Sequence, residues 1–246
     1  MRFTGSKENL MPFIARTIEG LGIRGRVFFD IFSGTTRVAQ HFKKIGYHVI
    51  SNDNLCFSYL LQRTYIENNT IPMFLRLARW LREKGTYDDN KTGAKNVIDF
   101  LNNADGIKGY VFENYARNGK YQRMYFSNEN AQKIDGVLSL VEWWRQNDLI
   151  SEMEKSILKT SLIEAIPSVS NISGTYGAYL KHWDVRAFKP LILTVPHFIL
   201  STKQHYCFQK DANELVRDFD TDILYLDPPY NTRQYIEVVP EIWTGC

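Results

Sequence analysis

Hydrophobic positions early in the chain change their period twice. Val27-Phe28-Phe29-Asp30-Ile31-Phe32 is a short apolar run, rich in aromatic and β-branched residues, which predicts a strand. It stops at Ser33-Gly34, and Val38, Phe42 and Ile45 then recur at helical spacing up to Gly46. Tyr47-His48-Val49-Ile50-Ser51-Asn52 predicts a second strand, ending at Asp53. A strand, a helix and a strand within roughly thirty residues form the unit from which parallel sheets are built.

The texture changes between about Leu55 and Pro190, where helical patterns around residues 57–66, 73–83, 129–144 and 151–166 are separated by polar, Gly- and Asn-rich loops. Alternation returns at Tyr206-Cys207-Phe208, followed by Asp211, a helical stretch over residues 212–218, and a strand Ile223-Leu224-Tyr225-Leu226 that runs into Asp227. The expectation is an α/β sheet domain split by a mainly helical insert, residues 1–60 and 195–246 forming the first and 61–194 the second. No internal repeat or low-complexity run competes with that division.

Composition narrows the picture modestly. The longest apolar stretches are far shorter than the roughly 20 residues that cross a bilayer, and the N-terminus is not a signal peptide, so a cytoplasmic protein without a membrane segment is expected. Cys56, Cys207 and Cys246 are widely spaced with no C-x-x-C pair, and the five histidines lack ligand spacing, so no metal is expected. A net charge of +3 is too small to announce nucleic-acid binding by itself.

Two places carry chemistry. Asp30, Phe32, Gly34 and Thr36 occupy a strand–turn–helix junction, where free backbone N–H groups at the carboxyl edge of a sheet can face a ligand. Gly34 is the one glycine of that turn, so the G-x-G-x-x-G dinucleotide fingerprint is absent and a nucleoside without phosphates fits better. Asp53 stands where a carboxylate can accept from a ribose diol, or can cap the following turn.

Asp227-Pro228-Pro229-Tyr230 follows an apolar strand directly. Pro228 precedes a proline and is held extended, which fixes its carbonyl beside the Asp227 carboxylate. An exocyclic amine on a base is a weak nucleophile because its lone pair is delocalised, and two fixed acceptors can draw its hydrogens out of plane as it attacks a methyl group. Tyr230 offers a face on which a flipped base can stack. The competing reading of the tetrapeptide is an ordinary turn.

With these motifs in this order, the chain resembles the S-adenosylmethionine-dependent DNA adenine-N6 methyltransferases. The resemblance implies a Rossmann-like sheet of order 3-2-1-4-5-7-6 with a target-recognition insert, S-adenosyl-L-methionine as cofactor and duplex DNA as partner, in a restriction-modification setting. It makes Gly5-Ser6-Lys7 an N-terminal cofactor motif, Asp30 to Thr36 the second, Asp53 the ribose acid, and Asp211-Ala212 an adenosyl-contacting loop. The cofactor set is then Lys7, Asp30, Phe32, Gly34, Asp53 and Asp211, and the catalytic set Asp227, Pro228, Pro229 and Tyr230. Thr36 departs from the family, which often has a second glycine there.

Two stretches of the insert mix cations with rings. Between Lys108 and Arg123, Arg117 and Lys120 alternate with Tyr110, Phe112, Tyr115 and Tyr121, and a second stretch runs over residues 174–181 to Arg186 and Lys189. Such mixtures can pair with phosphates and stack on bases, or form a solvated loop over buried rings. Only sixteen residues follow Tyr230, and those from Ile236 on do not resemble the family. Strands one to four can be placed and the C-terminal strands cannot, so a truncated product, completed by a second polypeptide, is expected. A catalytically inactive DNA-binding remnant, or methylation of an RNA or protein amine, are the alternatives.

Overall fold

A computed structural model describes residue 7 and residues 10–173 and 178–228. Gly5, Ser6, residues 174–177, Pro229, Tyr230 and everything beyond lie outside the described residues. The chain divides into two compact units, one of Phe3–Thr70 with His197–Cys246, the other containing Ile71–Pro196. The expected boundary at residue 60 would cut through a helix of the first unit.

In chain order the elements are α1 (Met11–Gly20), β1 (Val27–Asp30), α2 (Arg37–Lys44), β2 (His48–Asn52) and α3 (Cys56–Gln62), which runs into a π-helical turn over Arg63–Glu67. The second unit contributes α4 (Leu75–Glu83), α5 (Gly93–Asn103), α6 (Tyr110–Tyr115), α7 (Asn128–Gln146) and α8 (Glu152–Ala165). The chain then returns to β3 (Tyr206–Phe208), α9 (Ala212–Leu215) and β4 (Ile223–Tyr225). The four strands form one parallel sheet of order β3-β2-β1-β4, with Phe28 in register with both Val49 and Ile223.

A parallel strand is buried on both faces, which is why Val27-Phe28-Phe29 is apolar without interruption. Successive side chains serve opposite layers. Phe28 stacks on Phe42 of α2 with ring centroids 3.9 Å apart. Phe29 packs on the other side with Ile31, Ile50 and Leu215 of α9. Both phenylalanines are wholly buried.

A polar feature lies under α2. Lys43 is buried, and its Nζ donates to the carbonyls of Tyr65 (3.0 Å), Ile66 (2.8 Å) and Asn68 (2.7 Å). Those carbonyls lie at the end of the α3 helix, where the widened π turn leaves acceptors without intrahelical donors. Burial pulls the Lys43 pKa down to about 8, so the ammonium persists at pH 7.

Ser127 caps α7, and α8 begins with a complete capping box in which Ser151 and Glu154 satisfy each other's backbone N–H. Ser151→Ala should cost about 1 kcal/mol, read as a lower denaturant midpoint with unchanged slope. α6 is capped from a distance: the buried Asp135 carboxylate of α7 accepts from the N–H groups of Gly109 (3.0 Å), Val111 (2.8 Å) and Phe112 (2.8 Å). The segment leading back toward the sheet has no strand partner, so side-chain amides take its backbone groups. Asn130 binds Ala187, Lys189 and Leu191, and Asn102 both accepts from and donates to Leu193.

Candidate functional site

The sheet presents its carboxyl edge where β1 and β4 lie side by side, with Asp30 paired to Tyr225 in register. β1 ends at Asp30, and the chain must leave the sheet within a few residues to start α2. Gly34 (φ 50°) and Thr36 (φ 62°) both adopt the left-handed region. Glycine takes that conformation freely, whereas a β-branched side chain is strained there. The strain at the buried Thr36 explains why a glycine suits this position, and the Thr36 hydroxyl compensates by bonding the Thr35 carbonyl and accepting from Gln40.

One cleft brings together Lys7, Asp30, Phe32, Gly34 and Asp227, joined by Ser33, Thr35, Arg37, Val38 and Tyr225. Lys7 Nζ forms an ion pair with Asp227 Oδ2 at 3.1 Å. Pro228 is the last described residue of the Asp-Pro-Pro-Tyr loop. A Cβ built on Gly34 would meet nothing within 4 Å, so space is open above the turn.

Asp30 is the most perturbed acid. It is buried, its Oδ2 accepts from Ser33 Oγ at 3.1 Å, and its Oδ1 has no partner. Burial raises its pKa to about 7; the Ser33 hydroxyl and the Ala39 N–H oppose the rise, while the neighbouring Asp53 and Asp227 charges add to it. Between about pH 4 and pH 7 the folded protein therefore keeps a proton that the unfolded chain has released. Stability from this group is full below pH 4 and is lost as the pH rises through 7. In the cofactor-free chain, Asp30→Asn should raise the melting temperature at pH 8 and leave it unchanged near pH 4. A lower melting temperature at pH 8 would remove the assigned strain.

Asp53, at the end of β2, is tied to the same turn. Its Oδ2 accepts from the Gly34 N–H at 2.7 Å and its Oδ1 from the Leu55 N–H at 2.9 Å. Burial pushes its pKa up, opposed by these N–H groups and the Ser58 hydroxyl. The capping reading of Asp53 is the one these bonds display: the carboxylate closes the turn that carries Gly34, a residue of the cleft. Tyr225, two residues before Asp227, is held up to about 12 by burial and by the Asp227 and Asp30 charges. Its place two residues before Asp227, on the same side of an extended strand, is the available signal for this lining residue.

Asp211 is not among the cleft residues. It is exposed at the start of α9, where its Oδ1 accepts from the backbone and side chain of Asn213. The preceding residues stay close to Asp53, since Phe208 accepts from the Asp53 N–H and Lys210 bonds Asn52.

In the helical unit, the cation–aromatic stretch divides between core and surface. Phe112 and Tyr115 are buried, whereas Tyr121 is 52% exposed. Lys120 and Arg123 both lie over the Tyr121 ring, at 5.3 and 5.1 Å from its centroid. A cavity beside them is lined by Arg117, Asn118, Gly119, Gln122 and Met124. Arg186 of the second stretch is engaged by Asp184 through two nitrogens. Among the described residues no group of His, Cys, Asp and Glu could hold a metal ion, and no helix is long and apolar enough to cross a membrane.

The chain is 43% identical over 240 residues to the type II methyltransferase M.FokI of Planomicrobium okeanokoites, covering 96% of this chain and 35% of that protein. It is 40% identical to the modification methylase StsI of Streptococcus sanguinis, covering 96% and 34%, and 34% identical to the type II methyltransferase M.NlaIII of Neisseria lactamica, covering 96% and 66%. The chain thus spans about a third of the length of the first two relatives. No solved structure matches it. Residues 3–239 match the family described as D12 class N6 adenine-specific DNA methyltransferase. With a 3-2-1-4 parallel sheet, an acidic cleft at its carboxyl edge and this match over nearly the whole sequence, the chain belongs to the D12 class N6 adenine-specific DNA methyltransferase family.

Proposed function

We propose that the chain carries the cofactor cleft and amine-accepting loop of a site-specific DNA methyltransferase. The reaction moves a methyl group from S-adenosylmethionine to N6 of adenine in duplex DNA, in a restriction-modification setting and hence in the cytoplasm. The observation that carries this is the meeting of Asp227, just past β4, with Asp30, Phe32 and Gly34 of the β1–α2 turn in one cleft.

The residues fit that cofactor. The partnerless Asp30 Oδ1 and the Asp53 and Asp227 carboxylates suit a ligand bearing a sulfonium, an ammonium and a ribose diol, and open space lies above Gly34. Lys7, Asp30, Phe32, Gly34 and Asp53 would hold it, and the exposed Asp211 would join them only by approaching the bound adenosyl group from outside the cleft. When bound, the cofactor supplies an electrophilic methyl group. Asp227 and the Pro228 carbonyl accept the N6 hydrogens, so that the nitrogen lone pair leaves conjugation with the ring. Because Lys7 occupies an Asp227 oxygen in the structure, the arriving amine shares or displaces that ammonium. Pro229 stiffens the loop and Tyr230 supplies the stacking face for a flipped adenine.

The direct test offers labelled cofactor to duplex DNA, RNA and protein acceptors in one assay. Label in adenine of duplex DNA is expected. DNA binding without transfer, or label confined to RNA or protein, would overturn the proposal.

The helical unit is the target-recognition region in this proposal, and the exposed Lys120–Tyr121–Arg123 group is its phosphate-facing surface. Replacing Lys120 and Arg123 by Gln should lower the slope of log affinity against log salt by about 2, since each phosphate contact contributes about 1. An unchanged slope in fluorescence titrations with duplex DNA would place the contacts elsewhere.

A further inference from the structure

The second cation–aromatic stretch of the helical unit holds apolar side chains out in water. Its short 3-10 turn over Val185–Phe188 leaves Val185 78% and Phe188 61% exposed, while Ala187 between them is wholly buried. Side chains three positions apart eclipse along a 3-10 turn, so Val185 and Phe188 form one apolar ridge. The ring of Trp183 stands 5.1 Å from that of Phe188 and braces it from one side.

A loose turn would let such a ridge fold back onto the protein, but this backbone is fastened at both ends by buried amides. Asn171 Oδ1 accepts from the Asp184 N–H at 2.9 Å, and the Asp184 carboxylate accepts from the Arg186 N–H at 2.9 Å. Asn130 Nδ2 donates to the Ala187 and Lys189 carbonyls, and its Oδ1 accepts from the Leu191 N–H. Asn130 and Asn171 are both buried, so their amides do not exchange these bonds for water. Two interior side chains thus keep exposed a ridge that the hydrophobic effect alone would hide.

The charges around the ridge select its occupant. Lys181 and Lys189, both exposed, bracket it in sequence and Arg186 lies within it, against one acid, Asp184. A rigid apolar ridge with a cationic fringe fits a polyanion that can receive an apolar side chain, and duplex DNA opened at a base step is such a partner.

We infer that Val185 and Phe188 form a wedge that inserts between stacked base pairs of the DNA, with Lys181 and Lys189 on the flanking phosphates. The inference rests on the duplex-DNA substrate proposed above. Adenine N6 is engaged in pairing until the base leaves the helix, and unstacking one step lowers the work of extruding it.

The test relaxes closed circular plasmid DNA with a topoisomerase while the full chain is bound, then removes the protein and reads the topoisomers, because an inserted wedge unwinds the duplex. Binding to the same plasmid is measured at several salt concentrations. Wild type should shift the topoisomer distribution. Phe188→Ala should bind about tenfold more weakly, the loss expected for one side chain stacked on a base, with the salt slope unchanged. Its unwinding per bound protein should fall below about a third of wild type, whereas Phe188→Leu, which keeps an apolar wedge, should retain most of it. Lys189→Gln should do the reverse, lowering the salt slope by about 1 and leaving the unwinding per bound protein intact. Wild-type binding without unwinding, equal unwinding by Phe188→Ala and wild type, or equal loss in Phe188→Ala and Phe188→Leu overturns the wedge while leaving the DNA substrate in place. A DNA-free dimer that Phe188→Ala converts to monomer in sedimentation would make the ridge a contact between copies, which overturns the wedge as well. A wild type that does not bind duplex DNA removes the substrate on which the inference rests, and the wedge with it.

Discussion

Replacing Asp227 by Ala is expected to lower methyl transfer to adenine by about 10²- to 10³-fold, the loss typical when one preorganised group at the reacting centre is removed. The cofactor KM should stay within about threefold, because in the proposed role Asp227 acts on the amine in the transition state rather than on the bound cofactor. Asp227→Asn should fall between wild type and Ala. It keeps one carbonyl acceptor but turns an N–H₂ donor toward the amine and loses the charge that pairs with Lys7. Steady-state rates with hemi-modified and unmodified duplexes, alongside cofactor binding by calorimetry, separate the two effects. An Asp227→Ala protein with wild-type kcat would end the proposed role of the loop. A protein that fails to bind cofactor would shift Asp227 from the acceptor to the cofactor set.

The second large effect is structural. Lys43→Met keeps the length and apolar stem of the side chain but leaves the Tyr65, Ile66 and Asn68 carbonyls without their donor. Unsatisfied buried acceptors cost about 1 to 3 kcal/mol each, and removing the burial cost of the ammonium offsets part of the sum, so a net loss of about 3 kcal/mol is expected. For a chain of this size that is a fall of roughly 6–12 °C in melting temperature. Lys44→Met, one residue on and exposed, is the control and should change stability by less than about 0.5 kcal/mol. A Lys43→Met protein that melts within about 2 °C of wild type would mean that the π turn satisfies its own carbonyls. The two predictions are independent in kind: one removes a group at the proposed reacting centre, the other a support beneath the sheet.

Much of this architecture is legible in the sequence, and the elements that are not share a physical cause. The runs at Val27, Val49 and Ile223 stand out because a parallel strand covered on both faces carries consecutive apolar residues, a demand written into neighbouring positions. The helices of residues 128–146 and 152–165 announce themselves through Ser127 and the Ser151–Glu154 box, which are local signals. α5 and α6 were not foreseen. α6 is six residues long, and its N-terminal donors are taken by Asp135, 24 residues beyond Val111, so no local pattern could show its start. α1 carried a readable mark, a proline in its first turn, but none of its residues is buried and no core-facing stripe reinforced it.

Lys43 illustrates the same limit from the other side. In the sequence it is one of two adjacent lysines at a helix end, the usual sign of a solvated face. Its burial was decided by acceptors that the fold brings from residues 65–68. Asp211, by contrast, sat in a legible turn after β3, yet the fold leaves it exposed as the cap of α9 rather than in the cleft lining.

By itself, then, the sequence determined the order of the chemistry: a glycine-bearing turn after the first strand, an acid after the second, and Asp-Pro-Pro-Tyr after the fourth. Strand period and proline geometry are short-range, so residues a few positions apart suffice to specify them. Only the tertiary structure decided that Lys7 meets Asp227, that Asp30 is buried with an unpartnered oxygen, and that Asp53 ties the turn through the Gly34 N–H. Those are contacts between segments distant in the chain. Their energies depend on burial and on which polar groups lack another partner, and neither exists until the sheet has closed over its core.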